Sequence, residues 1–321
     1  MNQGSRSSQP PPLAASTVAA SVVVPGNHDG VHLGHRSLLA AARARAAQGS
    51  LRVVALFFDP HPSAVLAPER APSALTSASR RVELLRGAGA DAVHVQPFDS
   101  DFATLSPEAF VQQILVERLG ARSLVVGPDF RFGRGRAGDL GTLQALGLEH
   151  GFEVIAAPAA RFEGAPVSST RIRHHLGLGE VECASALLER YHDIEGEIVE
   201  GDRRGRELGF PTANLRAPRT LLPADGVYAV LARLVDSSEP LRGVANLGQR
   251  PTFEAGRSLE VHLLDFDASI YGRVLRVAFV KRLRGERRFD GLEALRAQIA
   301  IDREAARGAL ESIVQERARW L

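Results

Sequence analysis

The chain has one cysteine, Cys183, so no intrachain disulfide can form and a zinc site built on cysteines is excluded. That usage fits a reducing compartment. No apolar run is long enough to span a membrane. Charge of one sign is not in excess: 39 Lys and Arg face 37 Asp and Glu, a formal charge of +2. The pI of about 9.1 reflects arginine, which titrates late. There is no basic tail, and the cluster Arg203–Arg206 is too short to argue for nucleic acid. An anionic small substrate accounts for such a cluster equally well. Nothing indicates an obligate protein partner.

What is present is an ordinary globular composition, 45% hydrophobic and 24% charged, over 321 residues. That length exceeds one hydrophobic core and implies two domains. Met1–Pro12 is rich in Ser, Gln and Pro, and Leu13–Val24 is apolar enough to mimic a secretory signal. Only Arg6 charges its head, however, and the run flows straight into Gly26-Asn27-His28-Asp29-Gly30. Residues 1–19 are therefore expected to be a disordered leader on a cytoplasmic protein, with Ser21–Val24 as the first buried strand.

Through the first half, short apolar runs (Ser21–Val24, Val53–Phe57, Ala92–Val95, Ser123–Val126, Glu153–Ala156) alternate with helical patterns (His35–Gln48, Ser79–Gly87, Pro107–Leu119, Leu140–His150). This alternation predicts βαβ units, a parallel sheet, and a ligand at its carboxyl edge. From about Tyr191 the segments become short and alternating: Asp193–Val199, Gly226–Leu234, Arg242–Asn246, Ser258–Phe266 and Val274–Val280. Gly, Pro and Asp punctuate them, which predicts an antiparallel β-barrel. A last helix carries Leu292, Leu295, Ile299 and Leu310 as one stripe. The expected division is 20–187 and 188–321, with the boundary near residues 186–192.

Two constellations carry chemistry in the first half. His32-Leu33-Gly34-His35 follows a strand and turn and opens a helix, so two imidazoles project to one side where free N–H groups and the helix dipole favour phosphate. Gly34 permits close approach, and Gly26 and Gly30 permit the preceding turn. Such a cluster suits displacement at an α-phosphate, stabilising charge on phosphorus and on departing pyrophosphate. About 130 residues on, Val167-Ser168-Ser169-Thr170-Arg171-Ile172-Arg173 places hydroxyls before a short helix and arginines in its first turn. The hydroxyls suit a cap. The arginines oppose the dipole unless an anion sits there, and a triphosphate would supply one.

In the second half the most specific string runs from Gly201 through Gly205, Arg206 and Gly209 to Phe210-Pro211-Thr212-Ala213-Asn214. It is not a Walker A loop, yet its glycines and arginines can wrap phosphates. Thr212 and Asn214 are two apart, so in an extended segment both oxygens face one way and suit Mg²⁺. In Leu259-Glu260-Val261-His262-Leu263, Glu260 and His262 share the face opposite the aliphatic residues.

These strings together resemble the bacterial bifunctional riboflavin kinase/FAD synthetase family. Gly26–His35, Phe58-Asp59-Pro60-His61-Pro62, Val126-Gly127-Pro128-Asp129-Phe130-Arg131-Phe132-Gly133 and Ser168–Arg173 resemble four signatures of a Rossmann-like nucleotidylyltransferase joining FMN to ATP. Gly205–Asn214, Gly226-Val227-Tyr228, Asn246–Thr252 and Glu260–Phe266 resemble the riboflavin kinase module. The resemblance implies that His32, His35 and Arg173 handle triphosphate alongside Gly26, Asn27, Asp29, Gly30, Gly34, Ser168, Ser169 and Thr170. It implies that His61, Pro62, Asp129 and Phe130 lie on the flavin side. For the kinase module it implies that Gly205, Arg206, Gly209, Pro211, Thr212 and Asn214 bind Mg²⁺-ATP and that Glu260 is the catalytic base.

Three places depart from the family pattern. Pro25 stands for an aliphatic residue, His28 for phenylalanine, and Glu189-Arg190-Tyr191-His192 for Gly-Arg-Pro-Tyr. Pro25 and His28 leave open a narrower reading, a riboflavin kinase with weakened or lost adenylylation. Gly26-Asn27-His28-Asp29 also matches a dinuclear metallophosphoesterase fragment, but the further Asp and His ligands are missing. Gly133–Gly138 spells a dinucleotide fingerprint with no strand directly before it and is discounted.

Overall fold

The computed structural model describes residues 19–200, 210–216, 220–249, 257–313 and 315–321. The leader up to residue 18, and Gly205, Arg206 and Gly209, lie outside the described residues.

The first half alternates as its pattern predicts. Strand β1 (Ser21–Pro25) leads to α1 (Leu33–Gly49) and β2 (Arg52–Asp59), and then to α2 (Pro62–Leu66) and α3 (Ala78–Gly87). Next come β3 (Ala92–Pro97), α4 (Pro107–Phe110) with its π-helical continuation (Val111–Arg118), β4 (Ala121–Val126), α5 (Leu140–His150) and β5 (Glu153–Ala156). The strands form one parallel sheet in the order β3-β2-β1-β4-β5. Both faces are covered, which is why its strands read as continuous apolar runs. Val22, Val24, Val53, Ala55 and Phe57 meet α1 and α3 on one face. Val23, Val54, Leu56, Leu124 and Val126 meet the π-helical segment and α5 on the other. The strand order reverses between β1 and β4, so the crevice for a ligand lies beyond their carboxyl ends.

A two-stranded ribbon, β6 (Arg161–Phe162) and β7 (Ala165–Pro166), precedes α6 (Ser169–Leu178) and α7 (Val181–Leu188). Helix α7 was not expected from the sequence. The second half is a closed antiparallel barrel ordered β10-β11-β12-β9-β8-β13. Its strands are β8 (His192–Val199), β9 (Ala213–Leu215), β10 (Gly226–Leu234), β11 (Leu241–Gln249), β12 (Arg257–Leu263) and β13 (Val274–Arg284). Alternate residues such as Tyr228, Val230, Val261, Val277 and Phe279 fill one core. Outward-facing Ala229, Leu231 and Ala278 are covered by α8 (Leu292–Glu311) through Ala306 and Leu310. The expected helix stripe holds only in part: Leu310 is buried, but Leu292 is 68% exposed. Helix α9 (Gln315–Ala318) completes the described chain.

Helices α6 and α7 are coupled to the barrel. Ile172, Leu176, Val181, Ala184, Leu187 and Leu188 belong to the same hydrophobic cluster as its interior. Polar contacts reinforce the joint. Arg80 of α3 pairs with buried Asp193 of β8 at 2.7 Å, and Glu83 of α3 pairs with Arg276 of β13 at 2.7 Å. Trp320 lies against α3, where a Cβ on Gly87 would come within 2.6 Å of its ring, and the Arg36 guanidinium sits 5.1 Å from its ring centre.

Candidate active sites

The first site forms where β1, β2, β4, α1 and α6 converge. The turn from Gly26 to His32 carries its strain at His28 (φ 49), Gly30 (φ 84) and Val31 (φ 41), not at Gly26. A β-branched residue at positive φ is sterically unfavourable and is kept there by its surroundings. His32 caps α1, its Nδ1 accepting from Gly34 N at 3.1 Å. Burial lowers its pKa to about 4, so the ring is neutral at pH 7 and the remaining proton sits on Nε2 as a donor. His35 stacks on it with ring centres 3.7 Å apart, and burial holds it well below the ordinary histidine range. Its Nδ1 is buried without a hydrogen-bond partner.

The two departures at this site have structural explanations. Pro25 ends β1 beyond the β4 ladder, which runs only to Val23↔Leu124, while Gly26 N donates to Leu56 O at 3.0 Å. No ladder bond is lost. His28 is fully buried, its Nε2 donating to Val24 O at 2.9 Å, and its ring meets His35 edge-on at 5.1 Å. Desolvation lowers its pKa to about 4, so it packs as a neutral aromatic in place of phenylalanine.

Asp29 takes a different place from the one its motif suggests. It is 3% exposed and accepts from the Leu75 and Thr76 main-chain N–H groups at 3.0 and 3.2 Å. It also pairs with Arg81 at 3.0 Å and with Arg173. The anion beside Arg173 is therefore a residue of the chain itself, and Arg171 is met by the carbonyls of Phe162 and Ala165. Contrary to the expectation from the helix dipole, these arginines need no bound triphosphate to be satisfied. Ser168 caps α6 through Arg171 N, Ser169 Oγ donates to Asp29 O at 2.8 Å, and Thr170 is exposed.

His61 meets Asn27 Nδ2 at 2.9 Å, joining the ends of β1 and β2, with Pro62 following as the first residue of α2. Asp129 is exposed on the loop after β4. Phe130 stacks on Phe132, which touches Phe110 and, through it, Phe58 and Phe102. The sequence reading missed this aromatic array because its members are scattered over more than seventy positions. It also missed Arg81, whose Arg80-Arg81 setting reads as a solvated helix face.

In the barrel, Asn214 of β9, Glu260 of β12 and Asn246 of β11 are direct cross-strand neighbours. Thr212 lines two cavities. One, of about 370 Å³, is bounded by Phe210, Val244, Glu260, Phe289, Leu295 and Ile299. The other, of about 420 Å³, is bounded by Pro211, Val261, Phe266, Ser269 and Tyr271. His262 Nδ1 donates to Pro211 O at 2.8 Å and tethers the segment that carries Thr212. Cys183 is not isolated: its thiol, His175 and Glu180 have ligand atoms within 4.8 Å of one another, on an exposed turn where His175 and Glu180 pair at 2.6 Å.

A doubly covered parallel sheet with an imidazole-bearing helix start, followed by a closed barrel with a carboxylate lining one of two cavities that share Thr212, defines a two-domain phosphoryl- and nucleotidyl-transferring enzyme. The FAD synthetase family matches residues 15–171 and the riboflavin kinase family matches residues 188–310. The bifunctional riboflavin kinase/FMN adenylyltransferase of Escherichia coli K12 is 42% identical, covering 92% of this chain and 94% of its own. The Bacillus subtilis 168 enzyme of the same name is 35% identical, covering 90% and 92%. A solved Streptococcus pneumoniae structure, named a macrolide-efflux protein, superposes with a TM-score of 0.82 at 32% identity, covering 91% and 95%. No helix among the described residues is long and apolar enough to cross a membrane. The chain belongs to the bifunctional riboflavin kinase/FMN adenylyltransferase family. It phosphorylates riboflavin to FMN and adenylylates FMN to FAD with release of pyrophosphate, using ATP in both steps.

Proposed function

We propose that the kinase reaction occurs where the two barrel cavities meet at Thr212, with Glu260 as general base. The observation that carries this reading is the Asn214–Glu260–Asn246 row, which sets a carboxylate among amide groups at the rim of the aromatic-lined cavity. That cavity suits the flat, largely apolar flavin, and the other suits ATP. Glu260 accepts the proton of the primary hydroxyl as its oxygen bonds to the γ-phosphorus and the bridging oxygen leaves with ADP. The Thr212 hydroxyl and the Asn214 amide oxygen are hard donors and fit Mg²⁺. When bound, the ion supplies charge neutralisation on the phosphates.

In the sheet module, the start of α1 receives the triphosphate of ATP. His32 Nε2–H and His35 hydrogen-bond its oxygens, and the hydroxyls at the start of α6 (Ser168, Ser169 and Thr170) line the opposite wall. An FMN phosphate oxygen bonds to the α-phosphorus as the bond to pyrophosphate breaks. His61, Pro62, Asp129 and Phe130 border the flavin, backed by the phenylalanine array. Both reactions belong to a reducing cytoplasm, in keeping with one exposed free thiol. Separability tests the assignment. Glu260→Gln should lower FMN production on the order of 100-fold or more while FAD formation from supplied FMN persists, and His35→Ala should do the reverse. Product chromatography reads both, and near-normal FMN production by Glu260→Gln would remove the base assignment.

A further inference from the structure

Arg190 is only 2% exposed, yet it carries a charge into the joint between the two domains. Its Nη2 donates to Gly30 O at 3.0 Å and its Nη1 to Tyr191 O at 3.1 Å, while Nε is buried with no acceptor. The nearby carboxylates act on it through space but accept their hydrogen bonds from other arginines: Asp193 from Arg80 at 2.7 Å, and Asp29 from Arg81 at 3.0 Å and from Arg173. Glu189 pairs with Arg36 at 2.6 Å. Although burial lowers its pKa to about 10, the guanidinium remains a cation at neutral pH. Asp193 and Asp29 both favour the charged form through space. These two carboxylates are shared among Arg80, Arg81, Arg173 and Arg190, however, and no carboxylate among the described residues makes an ion pair with Arg190. Such a local excess of buried positive charge favours a bound anion.

Its position suggests the compensation. Gly30 lies within the strained turn, two residues before His32, and the Arg190 charge acts on the His32 ring. A polyanion at the start of α1 would lie only a few residues along the chain from the Gly30 carbonyl that Arg190 holds. In a low-dielectric setting such a charge acts strongly on a neighbouring anion.

We propose that Arg190, on the segment that leads into the barrel, is a positioning residue for adenylylation: it anchors the Gly30–His32 turn and supplies a buried positive charge that the ATP triphosphate compensates. The second domain thereby contributes to the chemistry of the first. This inference rests on the reading that the triphosphate binds beside His32 and His35.

The test uses the full chain, in which riboflavin phosphorylation serves as an internal control for folding. Arg190→Met should lower kcat/KM for ATP in FAD formation by about 100-fold and weaken pyrophosphate inhibition at least about tenfold. Riboflavin phosphorylation should stay within about twofold. Arg190→Lys, which keeps the charge but not the two-point geometry, should recover at least about tenfold of the loss. Adenylylation within about threefold of the parent in Arg190→Met would overturn the inference, as would a parallel fall in kinase activity or a lysine variant no better than methionine. His35→Ala distinguishes the triphosphate site itself from the contribution of Arg190. Full adenylylation in that variant removes the underlying site reading, whereas its loss beside a normal Arg190→Met removes only the role of Arg190.

Discussion

Asp29 binds the first-domain turn to three other parts of the chain: the Leu75–Thr76 main chain, Arg81 of α3 and Arg173 of α6. Removing one partner of a buried ion pair leaves the other charge unmatched, at a cost of about 3–5 kcal/mol. Asp29→Ala should therefore lower unfolding free energy by about that amount, read by urea denaturation. The buried histidines make a second prediction. His28, His32 and His192 are each depressed to about 4 by desolvation. Below an unfolded pKa of about 6.5 the unfolded chain binds more protons, so this contribution is complete above that pH and is lost as pH falls toward 4. Each fully depressed histidine contributes at most about 1.4 kcal/mol per pH unit in that window. Melting temperature should fall steeply between neutrality and pH 4.5. His28→Phe should flatten the slope by about one histidine and keep FAD synthesis within about threefold, since the ring already acts as a neutral aromatic.

At the scale of elements, the fit between α3 and the end of the described chain can be tested at one atom. Gly87 ends α3 against Trp320, and a methyl group there would overlap the indole. Gly87→Ala should cost about 1–3 kcal/mol by overpacking. With Trp320→Ala already in place, the same change should become neutral or stabilising by up to about 1 kcal/mol, because alanine favours the helix. A thermal-unfolding double-mutant cycle measures the difference. Element existence was readable where a period was strong: all five sheet strands and four of the intervening helices lie where alternation and helical spacing place them. Helix α7 was not, because Val181–Leu188 spans barely two turns, too few to establish a period, although Val181, Ala184 and Leu188 do form one buried face. It is buried by the barrel, so its pattern reflects a neighbour far along the chain.

For the whole molecule, the shared core of α6, α7 and the barrel predicts coupled stability. A fragment ending at residue 187 would expose Ile172, Leu176, Val181 and Ala184, which the intact chain buries. It should be poorly folded, whereas the intact chain should melt in one transition by circular dichroism and calorimetry. Much of the site was also legible. The histidine pair was readable because three-residue spacing at a helix start fixes a common side. Glu260 and Asn214 were each readable as outward-facing, but their adjacency was not, because strand register joins positions 46 residues apart.

By itself the sequence determined the two architectures, the chemistry-bearing strings and the family they resemble, since period, turn residues and local spacing act over a few residues. Only the tertiary structure decided that Asp29 answers Arg173, that His28 is a buried neutral ring, and that Arg190 reaches back to Gly30 across 160 positions. Burial and pairing of charge depend on which distant segments meet. No local pattern encodes the dielectric surroundings that those meetings create.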